Sequence, residues 1–332
     1  MDRSLGENLI FIISQPRAGS TLLQRILGSH PDIHTVSEPW LMLHPFYCLQ
    51  SQGFRAEYNE TIARGAVHEF LQKLPNREEE YYEGVRSMYS YLYGRSLSTA
   101  DKRYFLDKTP RYYFVIPQLY RTFPKAHFLI LYRNPLAVLT SIIKTWTKEN
   151  WFYLFQFKHD LIRAPDFLDE GTKTLGENAT VIHYEELVRN PDKVIRDVCN
   201  AIRLPFDHRV ITYGNHNLPH WLYGDQGTLY RKMGPVSQNA GKWKEMINDS
   251  QIWRLNKDYL EMLGEKTLTR MGYSFSELLE TLESLKPVST ALTFSLPWLL
   301  GKPDEQRKRW EIIAVRVARA LQFYKVSHQS QS

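Results

Sequence analysis

A short loop between an apolar strand and an apolar helix most constrains the fold of this 332-residue chain. The run Leu9–Ile13 predicts a buried strand, and the run Leu22–Leu27 predicts a helix. Between them lies the segment Gln15–Thr21, which reads QPRAGST. A glycine before a helix lets an anion approach the unpaired N–H groups of the first turn and the positive end of the helix dipole. The pattern therefore predicts a phosphate or sulfate site, with Arg17 as its cation.

The loop differs from the Walker A sequence of nucleotide hydrolases in two respects. The first glycine of that pattern is missing, and Gly19 rather than a lysine precedes Ser20 and Thr21. Hydrolysis of a nucleoside triphosphate is therefore not predicted. From the loop alone, an ordinary strand–turn–helix in which Ser20 or Thr21 only caps the helix remains an alternative.

Further apolar runs predict a parallel α/β sheet. Strands are predicted at about 9–14, 103–106, 127–132 and 179–183, and helical patterns lie between them. With 43% hydrophobic residues the chain can build one large core, so we expect helices on both faces of the sheet. The net charge of +6 suits a polyanionic ligand, and it suits an ordinary basic surface equally well.

The remaining composition favours a cytoplasmic protein. Cys48 and Cys199 are too few for a disulfide framework and lack the C-x-x-C spacing of a zinc site. The polar start of the chain has no signal-peptide pattern, and no stretch reaches the roughly 18–20 apolar residues that span a bilayer. We therefore expect a reducing compartment, no metal, no transmembrane segment and no nucleic-acid partner.

A second anion motif follows the predicted strand 127–132. Arg133 stands at the carboxyl end of this strand, and a helix is predicted to begin near Pro135. Ser141 lies eight residues after Arg133, about two helical turns into that helix. An arginine and a serine in this arrangement can contact one dianionic group together.

Both motifs together resemble the sulfotransferases that use 3′-phosphoadenosine 5′-phosphosulfate (PAPS). The loop Pro16–Thr21 is similar to the P-R-S-G-T-T loop of the Golgi-type and bacterial branch, and the segment 128–141 is similar to the family's 3′-phosphate motif. The resemblance covers roughly residues 9–275. It implies a P-loop-type α/β fold, PAPS as the sulfuryl donor and adenosine 3′,5′-bisphosphate (PAP) as the product.

The spacing of two further residues is similar to that of the tyrosylprotein sulfotransferases. Glu38 follows Pro16 by 22 residues, and Lys108 precedes Arg133 by 25 residues, the intervals at which those enzymes hold their catalytic glutamate and lysine. The resemblance implies that Glu38 takes the acceptor's proton and that Lys108 stabilises charge on the sulfonyl and leaving oxygens. From the residues alone, a solvated loop carboxylate and a surface lysine remain alternatives.

Later segments add less specific matches. Tyr184 begins a Y-E-x-L pattern that implies a contact with adenine, although an aromatic residue that closes the core is the alternative. The loop 230–237 resembles the family's late nucleotide loop in a mixed form, and a solvated turn is the alternative there. His183 is a second candidate base. The donor-binding residues implied by the resemblance are Arg17, Ala18, Gly19, Ser20, Thr21, Arg133, Ser141, Tyr184, Arg231 and Lys232.

Two regions remain open. Six aromatic residues can wall an acceptor pocket or cap the core: Trp146, Trp151, Phe152, Tyr153, Phe155 and Phe157. Residues 1–285 are predicted to form the sulfotransferase domain, and residues 286–332 a C-terminal extension. The extension carries a basic amphipathic helix from Asp304 to about Lys325, which can pack on the domain, form a homo-oligomer contact or lie on an anionic membrane.

The sequence thus predicts metal-independent, in-line transfer of a sulfuryl group from PAPS to a hydroxyl or amine of a small-molecule or peptide acceptor. A P-loop phosphotransferase is an alternative that requires a loop lysine and a metal-binding carboxylate. A catalytically silent nucleotide-binding module is a second alternative. Such a module would keep Arg133 and Ser141 but would have no use for Glu38 and Lys108.

Overall fold

A parallel sheet forms the centre of the molecule. The computed structural model describes residues 6–50, 56–215, 233–288 and 293–301. The strands are β1 (Leu9–Ser14), β2 (Ile33–Thr35), β3 (Tyr104–Lys108), β4 (His127–Tyr132) and β5 (Ala179–His183). They pair in the order β2-β3-β1-β4-β5, all parallel. The predicted α/β sheet is confirmed, and the three-residue edge strand β2 is an addition to it.

Helices surround the sheet. Their bounds are α1 Ser20–Gly28, α2 Leu43–Tyr47, α3 Glu60–Gln72, α4 Glu78–Ala100, α5 Ile116–Thr122, α6 Pro135–Ile142, α7 Ala164–Leu175, α8 Tyr184–Arg189, α9 Pro191–Ala201, α10 Ser250–Arg270, α11 Phe275–Ser284 and α12 Leu296–Gly301. Short 3₁₀ helices lie at Pro110–Phe114, Trp151–Phe157, Gly176–Asn178, His208–Ile211, Tyr213–Asn215, Ser237–Ala240 and Lys244–Met246, and π-helical turns at Ile143–Thr147 and His159–Arg163. None of the described helices is both long and apolar enough to cross a membrane.

The side chains of β1 are buried on both faces of the sheet, so each face is covered by helices. All six residues of β1 are buried, and the five apolar ones, Leu9–Ile13, alternate between two apolar clusters. Phe11 and Ile13 pack on the side of α4, α5 and α7, whereas Ile10 and Ile12 pack on the side of α1, α8 and α9. A central parallel strand must be apolar on both faces, which is why its sequence is an unbroken apolar run.

A third apolar cluster lies beside the sheet. It joins α6, α10 and α11, and the described start of the C-terminal segment packs into it through Leu296, Leu299 and Leu300. The backbone N–H of Leu296 also donates to Asp258 Oδ2 at 2.8 Å. The domain division at residue 285 stays a prediction. The basic helix predicted at 304–325, with the homo-oligomer contact assigned to it, lies outside the described residues.

The strand order brings the sequence motifs to one edge of the sheet. Because parallel strands end at the same edge, the segments that follow β1, β2, β3 and β4 meet there. Ile12 pairs with Lys108, so the end of β3 lies directly beside the loop that leaves β1. This edge carries the phosphate loop, Glu38, Lys108 and Arg133.

A buried carboxylate fixes the end of β3. Tyr93 of α4 donates its hydroxyl to Asp107 Oδ2 at 2.6 Å, and the hydroxyl of Tyr112 donates to the same oxygen at 3.0 Å. Thr109 Oγ1 donates to Asp107 Oδ1 at 3.0 Å. Burial raises the pKa of Asp107 to about 6, against the lowering effect of these three hydrogen bonds. The network holds the backbone on either side of Lys108.

We predict that Tyr93→Phe destabilises the fold. At pH 7.5, where Asp107 is ionised, the variant loses a hydrogen bond to a buried carboxylate, and the free energy of unfolding should fall by about 1.5–3 kcal/mol. Chemical denaturation measures this change. Tyr89→Phe is the matched control, because Tyr89 is also a buried tyrosine of α4, and its hydroxyl has no hydrogen bond within the described part of the chain. Equal stability of the two variants would contradict the prediction.

Candidate active site

The loop after β1 adopts the backbone that an anion site requires. Gly19 has φ 101° and caps α1, which begins at Ser20. A Cβ atom on Gly19 would lie 2.4 Å from Tyr184 Cδ2, so the ring of Tyr184 occupies the space where a side chain would stand. The intrahelical ladder begins with the N–H of Leu22, which donates to the carbonyl of Gly19 at 2.9 Å. Earlier N–H groups of this turn can therefore face an anion.

Two arginines and a serine converge beside this loop. Arg133 Nη1 donates to the carbonyl of Arg17 at 2.8 Å, and Arg17 Nε donates to Ser141 Oγ at 3.1 Å. The guanidinium of Arg133 lies over the ring of Tyr184, 4.3 Å from its centre. Arg133 Nε is buried and has no hydrogen-bond partner among the described residues. A buried, unpaired guanidinium N–H is costly, so this atom fits a site that an anion completes.

Lys108 and Glu38 form a buried ion pair in front of the loop. Lys108 Nζ lies 2.5 Å from Glu38 Oε1 and 3.4 Å from Thr21 Oγ1. The side chain of Lys108 is 0% exposed, and that of Glu38 is 13% exposed. Gln24 of α1 helps to position the segment after β2, because its amide donates to the carbonyl of Val36 at 2.7 Å. The carboxylate of Glu38 and the anion loop therefore both contact the ammonium of Lys108.

Arg111 forms the opposite wall of the site. Its guanidinium makes two hydrogen bonds to Asp160, at 2.9 and 2.6 Å, and the hydroxyl of Tyr113 donates to the same carboxylate at 2.6 Å. Burial alone would lower the pKa of Arg111. The hydrogen bonds and the negative charge of Asp160 have the larger effect, so the pKa lies above its ordinary value. The guanidinium carbon lies 5.5 Å from the ring centre of Trp40 and 5.9 Å from that of Trp146.

These groups line one cleft of about 260 Å³. The lining residues are Pro16, Arg17, Gly19, Ser20, Thr21, Leu22, Glu38, Pro110, Arg111, Arg133, Ala137, Ser141, Thr145, Trp146, Tyr184, Asn239, Lys242, Trp243 and Met246. Most of the residues predicted for the donor are therefore neighbours. Ala18 is fully buried behind the loop, and Lys108 lies beneath the cleft surface in contact with Glu38. Arg231 and Lys232 lie outside the described residues.

Other predicted residues lie elsewhere. His183 Nε2 lies 3.0 Å from the carbonyl of Met271, and its ring stacks on Tyr132, so this histidine packs away from the cleft. Of the six aromatic residues, only Trp146 lines the cleft, whereas Phe152 packs against Trp298 of α12. One residue of the run thus lines the cleft and another packs against α12, and a role for the run in acceptor binding stays a prediction.

Two residues at the cleft, Trp40 and Arg111, are not predicted from the sequence. Each follows a predicted catalytic residue closely: Trp40 lies two residues after Glu38, and Arg111 lies three residues after Lys108. That proximity was the available signal, but neither residue type is diagnostic of a site without its tertiary partners. Their importance follows from contacts with Glu38 and Asp160, which only the folded chain reveals.

A larger cavity, of about 680 Å³, lies at the opposite edge of the sheet. It is an open depression between α4 and the start of β1, and its charged lining residues are Asp32, Arg95, Asp101, Lys102 and Arg103. It contains none of the residues of the anion loop. Within the described ranges, no group of three or more His, Cys, Asp or Glu side chains is placed to hold a metal ion.

Known proteins provide independent comparisons. The chain is 27% identical over 296 residues to nodulation protein NoeE of Sinorhizobium fredii. The match covers 81% of this chain but only 66% of NoeE, less than two thirds of that protein's length. It is 22% identical over 292 residues to a putative protein-tyrosine sulfotransferase of Caenorhabditis briggsae, covering 81% of this chain and 90% of that protein.

Two solved sulfotransferase structures can be compared with this chain, both at TM-scores below 0.5. The sulfotransferase domain from the curacin biosynthetic pathway is 20% identical, with a TM-score of 0.48 over 71% of this chain and 90% of that domain. Mouse sulfotransferase SULT7A1 complexed with PAP is 14% identical, with a TM-score of 0.45 over 81% of this chain and 90% of that enzyme.

The family model described as "Sulfotransferase family" matches residues 9–208. This range is more than half of the chain. It includes the anion loop, Glu38, Lys108, Arg133 and Ser141. The chain therefore belongs to the sulfotransferase family.

Proposed function

We propose that this protein transfers the sulfuryl group of PAPS to a hydroxyl or amine of a small-molecule or peptide acceptor, with Glu38 as general base. The observation that carries the proposal is the buried Lys108–Glu38 pair in front of the anion loop. A protein that only binds a nucleotide would have no reason to keep this buried pair beside its anion loop. General acid–base chemistry and charge stabilisation require these two groups together.

The donor would occupy two separate anion positions. The first is the loop Gly19–Thr21 with Arg17, which suits the 5′-phosphosulfate because it combines helix N–H groups with a guanidinium. The second is formed by Arg133 and Ser141 and suits the 3′-phosphate. Its support is the buried Nε of Arg133, which has no partner in the described ranges.

Three further residues are assigned to the donor. Tyr184 lines the cleft and packs on both Gly19 and Arg133, a position that suits contact with the adenosine between the two anions. Arg231 and Lys232 are proposed as additional 3′-phosphate ligands. For these two residues the proposal rests on sequence resemblance alone.

In the proposed reaction the acceptor oxygen or nitrogen attacks sulfur in line with the bond to the 5′-phosphate. The new bond to sulfur forms as the bond between sulfur and the phosphate oxygen breaks, and Glu38 receives the acceptor's proton. The electron pair of the broken bond remains on PAP, where Lys108 and Arg17 stabilise the negative charge. Because Lys108 contacts both Glu38 and Thr21 of the loop, a small rotation would bring its ammonium to the leaving oxygen.

A phosphotransferase function is less well supported. Such an enzyme requires a lysine in the loop position held by Gly19. Any side chain there would collide with the ring of Tyr184, since even a Cβ atom would lie 2.4 Å from it. The packing of Tyr184 on Gly19 therefore disfavours that chemistry.

The acceptor would enter between Glu38 and the wall formed by Arg111 and Trp146. This wall combines a fixed cation with an aromatic face, and the acceptors proposed for it are small molecules or peptides. A cytoplasmic location is proposed together with this function, because PAPS would be the soluble co-substrate of the reaction.

Direct transfer tests the function. The protein is incubated with PAPS and a panel of phenols, alcohols, amines and peptides, and sulfated product is identified by mass while PAP is quantified. We expect stoichiometric PAP and product with at least one acceptor class. Absence of PAP release and of sulfated product across the whole panel would contradict the proposal.

We predict that Arg133→Ala weakens PAP binding about 10- to 100-fold, which corresponds to the loss of a charge-assisted hydrogen bond of about 1.5–3 kcal/mol. Calorimetric titration measures the dissociation constant. The same variant should bind adenosine 5′-phosphate as the parent does, because that ligand lacks the 3′-phosphate. Arg189→Ala, at the exposed end of α8, is the control. Unchanged PAP affinity of Arg133→Ala would remove Arg133 from the site.

We predict that Glu38→Gln lowers turnover about 10²- to 10⁴-fold while PAP binding is retained, because glutamine cannot accept the acceptor's proton. Lys108→Ala should lose turnover for a different reason, the missing charge at the leaving oxygen. Acidic acceptors such as nitrophenols ionise without a base, so they should rescue Glu38→Gln but not Lys108→Ala. Steady-state kinetics with a series of phenols measures both effects.

The control for this series is Glu69→Gln, which changes an exposed glutamate of α3. It should retain the parent's turnover with every acceptor. Turnover of Glu38→Gln within a few-fold of the parent with all acceptors would exclude Glu38 as the base. Rescue of both site variants by nitrophenols would contradict their separate roles.

A further inference from the structure

Trp40 is tied to the site at three points. Its indole N–H donates to Glu38 Oε2 at 3.2 Å. Its backbone N–H donates to Thr109 Oγ1 at 3.3 Å, directly after Lys108. Its ring lies against the guanidinium of Arg111, with 5.5 Å between the guanidinium carbon and the ring centre. Trp40 thus connects the segment of Glu38 with the residues that follow β3.

The backbone of Trp40 is held in an unfavourable conformation. Its φ of 56° lies in the left-handed region, which costs about 1–3 kcal/mol for a residue with a bulky side chain. Such a conformation persists only where the surroundings enforce it. The hydrogen bond to Thr109 and that from the Met42 N–H to the Tyr112 hydroxyl, at 3.2 Å, fix the chain on both sides of the strained position.

The two oxygens of Glu38 consequently have different partners. Oε1 contacts the ammonium of Lys108, whereas Oε2 accepts from the neutral indole of Trp40. An anionic donor attracts Lys108 but exerts no comparable pull on a neutral N–H. If Lys108 moved to the donor, the indole would still hold the carboxylate through Oε2, and Oε1 would be the oxygen left to face an acceptor.

We propose that Trp40 is a positioning residue that holds Glu38 through Oε2 and leaves Oε1 to receive the acceptor's proton. This inference rests on the proposed sulfuryl transfer and adds a role within it. The charged groups around Glu38 are Lys108 of β3, Arg111 after β3 and Arg17 of the anion loop, with Asp160 behind Arg111. Among these charged groups the indole is a neutral donor, and it gives the carboxylate orientation and one hydrogen bond at Oε2.

Trp40→Phe tests the role, because it keeps an aromatic ring against Arg111 and removes only the N–H donor and the outer part of the indole. The lost hydrogen bond favours protonation of Glu38, so the acid limb of kcat/KM should move to higher pH by up to about one unit. At neutral pH, kcat should fall about 10-fold while the dissociation constant of PAP stays unchanged.

Trp146→Phe is the matched control. Trp146 is the other tryptophan that contacts Arg111, but it has no hydrogen bond to Glu38 within the described residues. Its substitution can change acceptor KM, whereas the acid limb should keep the parent's position. An acid limb at the same pH in Trp40→Phe and Trp146→Phe would overturn the inference.

A second measurement needs only the parent protein and Glu38→Gln. One indole N–H resonance of the ¹⁵N-labelled parent should shift with pH at the midpoint of the acid limb, and this shift should be missing in Glu38→Gln. No indole resonance with this behaviour would overturn the inference, even if Trp40→Phe failed to fold.

The kinetic outcomes separate the inference from the function on which it rests. Transfer by the parent with an unshifted acid limb in Trp40→Phe overturns the role of Trp40 alone. No transfer by the parent with any acceptor overturns the proposed function, and the role of Trp40 with it.

Discussion

The ion pair between Lys108 and Glu38 is the contact on which the site depends. A fully buried ammonium is costly unless an anion stands beside it, and removing its partner costs about 3–5 kcal/mol. Lys108 is 0% exposed, so the chain after β2 must deliver a carboxylate to the end of β3. In the proposed reaction, a bound polyanionic donor would replace Glu38 as the partner of Lys108 and thereby release the carboxylate as a base.

The parallel sheet brings Glu38 and Lys108 together at one of its edges. Glu38 and Lys108 lie 70 residues apart in sequence, yet both follow strands that end at the same edge. Asp107, held by Tyr93 and Tyr112, anchors the backbone beside Lys108 inside the core. Helix α4 packs on the sheet and, through Tyr93, also fixes the end of β3 that carries Lys108, so core packing and the geometry of the cleft depend on the same contacts.

The sequence predicts those elements whose conformation depends on residues close together in the chain. The bounds of β1, β4 and β5 agree with the apolar runs because buried parallel strands need such runs, and the glycine loop follows from backbone sterics. The edge strand β2 has only three residues, too few for a recognisable pattern. The roles of Trp40 and Arg111 depend on partners distant in sequence or in space, such as Asp160. Ser141 was predicted beside Arg133, and its hydrogen bond in the structure comes from Arg17.

We propose that the cleft binds an adenosine that carries phosphates at both its 3′ and 5′ positions. The most direct test compares the thermal stabilisation of the parent protein by PAP with that by ATP and magnesium at equal concentration. A ligand that binds only the native state raises the unfolding temperature in proportion to its affinity. Arg17 with the loop and Arg133 with Ser141 predict a much larger shift with PAP. An equal or larger shift with ATP and magnesium would contradict the account.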